Sequence, residues 1–187
     1  MKLLIVSILP GADDRLLALF EDADPLVRSA ALKRLAQDHP SLVHEAVADT
    51  SEQVQATALN CLPLPVPVEL HEILVDNVLA WLETAKTDLA SAAAAVLPRL
   101  APDRCDVALV KVAITEERPL EVRVESVQAL AQTGLPNRLT HLTGLLSNAA
   151  QQVRVAALHG IRQLADEGDS EAVRVLAETI GGTILPP

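Results

Sequence analysis

Apolar positions recur along this chain in one fixed spacing, and the spacing itself repeats. Counting from Val27, a small residue stands at +4 (Ala31) and apolar residues at +5 and +8 (Leu32, Leu35). The frame restarts at Val54 (Ala58, Leu59, Leu62), Leu89 (Ala93, Ala94, Leu97), Val122 (Ser126, Val127, Leu130) and Val153 (Ala157, Leu158, Ile161). Offsets of four, five and eight share one face of a helix with about 3.6 residues per turn. The small residue leaves room for a neighbouring helix. Origins spaced 27 to 35 residues apart make this an internal repeat of solenoid period.

Between the copies lie further helix-forming stretches, at 13–22, 40–49, 66–83, 103–117 and 135–148, with Pro, Asp and Ser at their edges. Pro40 and Pro136 fall near helix starts, where a missing N–H costs little. Each unit is therefore expected to be a first helix, a tight turn, and a second helix opening near the repeat origin. The predicted fold is all-α: a right-handed α-solenoid of five helix pairs with a closing C-terminal helix, in a single domain over residues 1–187. The units fall at about 12–38, 39–63, 64–101, 102–134 and 135–166, and the closing helix at 168–182, with Gly181 and Gly182 as its stop. A lone helix pair cannot bury its apolar stripe, so each unit serves as the core of the next.

The third unit is irregular. "CLPLPVPVEL" predicts an extended connector, and Pro98 should kink or end its helix. With its degenerate alanine run as well, residues 62 to 101 are expected to loosen first.

Composition sharpens this picture. Phe20 and Trp81 are the only aromatic residues and there is no Tyr, so the core must be Ala, Leu and Val, which favours helices over sheet. A net charge of −10 gives no general attraction for phosphate or anionic lipid. The opening "MKLLIVSILPGADD" has an apolar run of seven residues, one Lys before it and no A-x-A site after it. A first structural element fits better than an export signal. No apolar run reaches the length of a membrane span, and a cytoplasmic protein is expected.

A polar residue in the turn, followed six positions later by the Arg of Val-Arg, appears as Asp22 with Arg28, Glu117 with Arg123, and Asn148 with Arg154. In this the chain resembles HEAT repeats, and most closely the short bacterial variety named after phycobilisome lyases. The resemblance implies that the turn residue and the Arg form a ladder between successive units, a structural role. Two copies depart from it, Asp49 with Gln55 and Thr84 with Ala90, which interrupts the ladder around units two and three. That family includes scaffolds, adaptors, lyase subunits and a few enzymes, so it implies architecture more than activity.

No catalytic constellation emerges. Cys61 and Cys105 stand in no CxxC arrangement and are expected as buried, reduced thiols. His44–Glu45 and His71–Glu72 resemble the paired ligands of HEAT-like metal hydroxylases. They sit at unequal offsets from their repeat origins, on first helices, so solvated surface residues are the better reading and no metal or cofactor is expected. There is no phosphate loop and no nucleophile elbow. Nucleic-acid binding would need a basic face with aromatic residues, which an acidic chain with one Trp does not supply.

If second helices line the concave side, its residues stand near +2, +6 and +9. Ser29, Lys33, Asn60, Ser91, Val124, Gln128, Val155, His159 and Arg162 then form a small, weakly polar surface, uncharged in its middle. Such a surface suits an approaching helix or peptide. The expected function is a non-enzymatic adaptor, scaffold or assembly factor whose partner is another protein or peptide, the chain itself being a monomer or weak homo-oligomer. A bilin-lyase or similar cofactor-attachment subunit is the alternative, resting on the repeat subtype, and a metal-dependent hydroxylase with His-Glu ligands ranks behind both. The apolar segment from Leu62 to Trp81 is a second candidate contact, with Trp81 more of a core residue than a binding one.

Overall fold

The structure, a computed structural model, describes residues 13–181. It is all-helical, with eleven helices and no strand among the described residues. They are α1 (Asp13–Phe20), α2 (Pro25–Leu35), α3 (Pro40–Ala46), α4 (Glu52–Asn60), α5 (Val68–Thr84) and α6 (Thr87–Leu100). The chain continues through α7 (Cys105–Ile114), α8 (Leu120–Ala131), α9 (Arg138–Leu145), α10 (Gln151–Asp166) and α11 (Ser170–Ile180). The opening segment at residues 1–12 and Gly182 lie outside the described residues.

Packing is sequential and repeat-like. Each of α2, α4, α6, α8 and α10 packs on the helix before it, and these five also pack in a row, each on the next, with α11 against α10. The repeat frame accounts for this. Every origin and every +4, +5 and +8 residue is buried except Leu158, which is half-buried. The core is thus one continuous seam between the two sets of helices.

Local chemistry sets the boundaries. Asp24 caps α2 by accepting the Leu26 N–H at 2.9 Å, with Pro25 in the first turn. Asp169 caps α11 through the N–H groups of Glu171 (2.9 Å) and Ala172 (3.1 Å). Between α10 and α11, Gly168 at φ +97° lets its N–H reach Ala165 O and that of Asp169 reach Leu164 O, each at 3.0 Å. Only glycine adopts that φ without strain. Gly181 ends α11 as expected, as its C-cap at an ordinary φ of −72°. Pro98 ends rather than kinks its helix: it lies in the last turn of α6, which stops at Leu100.

Residues 61–67 form the non-helical connector that the prolines predict. The alanine run after it departs from expectation. Leu89, Ala90, Ala92, Ala93, Ala94, Val96, Leu97 and Leu100 are all buried, because α6 is enclosed by α4, α5 and α8. Small side chains here mean close approach rather than poor packing. Sparse packing lies in the connector and the first half of α5, where Leu64, Val68, Leu70 and Ile73 are exposed. Trp81 is half-buried against the core. No helix among the described residues is long and apolar enough to cross a membrane.

Candidate protein-binding face

The row α2–α4–α6–α8–α10 has its apolar residues at 0, +4, +5 and +8, so its opposite side is left uncovered by α1, α3, α5, α7 and α9. Cavities open on that side, and two of them span neighbouring helices of the row. One, of about 400 Å³, is lined from α2 by Lys33, from α4 by Gln53, Ala56, Thr57 and Asn60, from α6 by Asp88, Ser91, Ala92 and Ala95, and from α8 by Glu125. The other, of about 470 Å³, lies between α8 and α10, lined by Val124, Gln128, Gln151, Gln152, Val155, Ala156 and His159. Of the residues predicted for the concave side, Lys33, Asn60 and Ser91 come together in the first cavity. Val124, Gln128, Val155 and His159 meet in the second.

Two predicted residues do not join them. Ser29 is buried, with its hydroxyl unpartnered among the described residues. Arg162 is exposed and lies 3.8 Å from Asp166 on its own helix. The sequence frame also missed a set: Gln53, Asp88 and Gln152 at −1, and Thr57, Ala92, Glu125 and Ala156 at +3. At about 100° per residue, positions −1, +2, +3 and +6 span one arc centred opposite the core, whereas +9 lies at its edge. Ala131, at +9, is accordingly buried.

The missed residues change the electrostatics. The middle of the face was expected to be uncharged, but Asp88 and Glu125 put two carboxyls into the first cavity, with Lys33 across from them. None of the three has a hydrogen-bond or ion-pair partner among the described residues. Glu125 is half-buried, and burial pushes its carboxyl above the ordinary range. Asp49 shows the opposite: a guanidinium and a backbone N–H hold it below that range.

Two of the three arginines, Arg28 and Arg123, bond to the side chain of the following turn, a register that differs from the sequence pairing. Arg28 grips the carboxylate of the next turn, Asp49, through Nε–Oδ2 at 2.9 Å and Nη2–Oδ1 at 2.8 Å. To its own turn it donates at two backbone oxygens, Asp22 O at 2.8 Å and Ala23 O at 3.1 Å. Arg123 likewise donates to Asn148 Oδ1 at 2.9 Å and to Ala113 O at 3.0 Å, and Glu117 is not its partner. Arg154 donates to its own turn at Asn148 O, 2.8 Å. In each of these turns the polar side chain also accepts the N–H two residues on: Asp22 from Asp24, Asp49 from Ser51, Asn148 from Ala150.

The departure at Gln55 therefore leaves the first rung intact, since Gln55 replaces only the backbone contact, through Nε2 to Asp49 O at 2.8 Å. At the other departure the Thr84 hydroxyl turns to Ala80 O. There Arg118 bridges instead, donating to Leu82 O (3.1 Å) and Ala85 O (3.0 Å) across the α5–α6 turn.

The His–Glu pairs are not simply solvated. His71 Nε2 lies 3.0 Å from Leu100 O, and Glu72 reaches Arg104 at 3.4 Å. His44 is half-buried with Nε2 buried and unpartnered, beside an apolar groove of about 130 Å³ between α3 and α5 that includes Val66, Leu70, Ile73 and Leu74. Among the described residues no group of three or more His, Cys, Asp or Glu is placed to hold a metal. Both thiols are free: Cys105 is buried, and burial first, with the nearby Asp106, pushes it up to about 11, while Cys61 is half-buried. No protein-family model matches the chain, and no curated protein matches it.

Proposed function

We propose that the chain is a HEAT-like right-handed solenoid of five helix pairs, acting as a non-enzymatic protein-binding module. Its concave side is the free face of α2, α4, α6, α8 and α10. The observation that carries this reading is the pair of cavities sharing α8, which draw on all five helices of the row. Their lining of carboxamides, hydroxyls and small side chains offers donors and acceptors to another chain and lets it approach closely. A catalytic pocket would instead bring an acid, a base and a nucleophile within reach of one atom.

The test is co-purification from native cells of the wild-type chain and of an Ala95→Arg/Val124→Arg variant, which fills both cavities. A stoichiometric partner is expected with the wild type and is lost with the variant at an unchanged thermal midpoint. If the variant retains every partner, this face is not the binding surface.

A further inference from the structure

A protein-binding face leaves the chemistry of the partner open, and the first cavity narrows it. Asp88 on α6 and Glu125 on α8 face the same space, and neither has a partner among the described residues. The other carboxyls with shifted acidity, Asp49, Asp106 and Glu171, are lowered by donors that contact them, whereas Glu125 is raised by burial alone. A desolvated carboxylate without a counter-charge is a standing cost, recovered when a cation arrives. Lys33 does not fill that role, forming no ion pair with either acid.

The surroundings select the form in which the cation comes. Ala56, Ala92 and Ala95 leave the floor low enough for a main chain to lie on it. The carboxamides of Gln53 and Asn60 on α4, of Gln128 on α8 and of Gln152 on α10 each present a donor and an acceptor. An extended segment has free N–H and C=O groups to meet them, and a helix does not. Helices in a row lie about 8–10 Å apart, so the path from α4 to α10 is about 25–30 Å, or about eight extended residues. A free small cation would use one cavity and leave the rest of this path bare.

Building on the protein-binding role proposed for this face, we infer that the partner presents an extended peptide whose lysine or arginine head lies between Asp88 and Glu125. Its main chain crosses α6 and α8 toward α10.

The test is selection of random dodecapeptides, displayed on phage, against the purified full chain. Recovered peptides should share a Lys or Arg at one position. A synthetic peptide of the consensus should bind the Asp88→Asn/Glu125→Gln double variant about tenfold more weakly, and norleucine in place of the base should cost the wild type the same factor. The two losses should not add when both changes are combined. Because the double variant removes unpaired charge, its thermal midpoint should not fall. Should it fall, the norleucine comparison on the wild type decides alone. Selected peptides without a basic consensus, or undiminished binding to the double variant, overturn the cation site and leave the protein-binding face standing. If no peptide is enriched, or if Ala95→Arg/Val124→Arg binds the consensus peptide as the wild type does, both readings fall.

Discussion

Two junctions in the row of packed helices are closed by different means. Where α2 meets α4, Arg28 spans the turn to Asp49 in a two-pronged ion pair whose side chains are 15% and 13% exposed. Where α4 meets α6 there is no such pair among the described residues, and the two packed helices carry buried alanines, Ala56 and Ala58 on α4 and Ala90, Ala93 and Ala94 on α6. The first junction is fastened at its edge by charge and geometry. The second is closed along its length by the absence of bulk. A charged rung loses its attraction to desolvation and must be well aligned to repay it, whereas small-residue packing gains dispersion contacts over its whole length. Within unit three, then, α6 is closely packed despite its irregular sequence, while the connector and the first half of α5 are not.

The strongest way to break this contrast is at Ala93, which is fully buried. Ala93→Asp places a carboxylate among α4, α5 and α8 with no cation to meet it, and should cost about 3–5 kcal/mol in a urea titration. A cost below about 1 kcal/mol would mean that the junction is loose. Hydrogen exchange sharpens the same point without mutation. Amides of α6 should be as protected as those of α8 and α10, and exchange should be faster over residues 61–73.

Next in size is Gly160, inside α10. A Cβ there would stand 2.9 Å from the Ala131 Cβ and 3.1 Å from a Leu142 methyl, so the missing side chain is what lets α10 settle against α8 and α9. Gly160→Val should lose about 2–3 kcal/mol through overpacking, although valine is the better helix former. A stabilised variant would show that helix propensity, not close approach, governs this position.

These positions also mark what could be read from the sequence. The frame at Val27, Val54, Leu89, Val122 and Val153 was legible because helix periodicity and burial are the same fact seen twice. Misjudging α6 came from equating alanine with weak packing, when three enclosing neighbours reverse that inference. The ladder was half legible. The polar turn residue and the Arg were visible, but a spacing of six describes the backbone contact within a turn. The side-chain bond from Arg28 to Asp49 joins different units, which local spacing cannot reveal. Asp88 and Glu125 were missed because the arc opposite the core was traced from its edge, at +9, instead of its centre. A helical wheel drawn opposite the five buried origins would have found both.

The rung itself should be worth less than either packing position. Asp49→Ala leaves the Arg28 guanidinium half-buried and unmatched, and should cost about 1–2 kcal/mol at neutral pH. Its pH dependence has a definite sign. Bonding to Arg28, aided by the Ser51 N–H, holds the Asp49 carboxyl below its ordinary range in the folded chain. The stabilisation is therefore present above the unfolded-state value and is lost as pH falls through the folded one. Thermal midpoints of the wild type should drop more steeply at the acid end than those of Asp49→Asn. Parallel curves would remove the rung from the account.

The smallest effect should have the opposite sign. Glu125 is raised in the folded chain by burial, so the fold binds its proton more tightly than the unfolded chain does. Its favourable contribution is complete below the unfolded-state value and is lost as pH rises through the folded one, leaving a charged, unpaired group at neutral pH. Glu125→Gln keeps the shape and removes the charge. The variant should match the wild type in acid and become slightly more stable than it as pH rises to neutrality, a difference readable as a shift in urea midpoint at constant slope. Asp49→Asn and Glu125→Gln would then depart from the wild type in opposite directions at neutral pH. If Glu125→Gln is instead destabilising there, the carboxylate has a structural partner, and the first cavity already holds the cation it was inferred to lack.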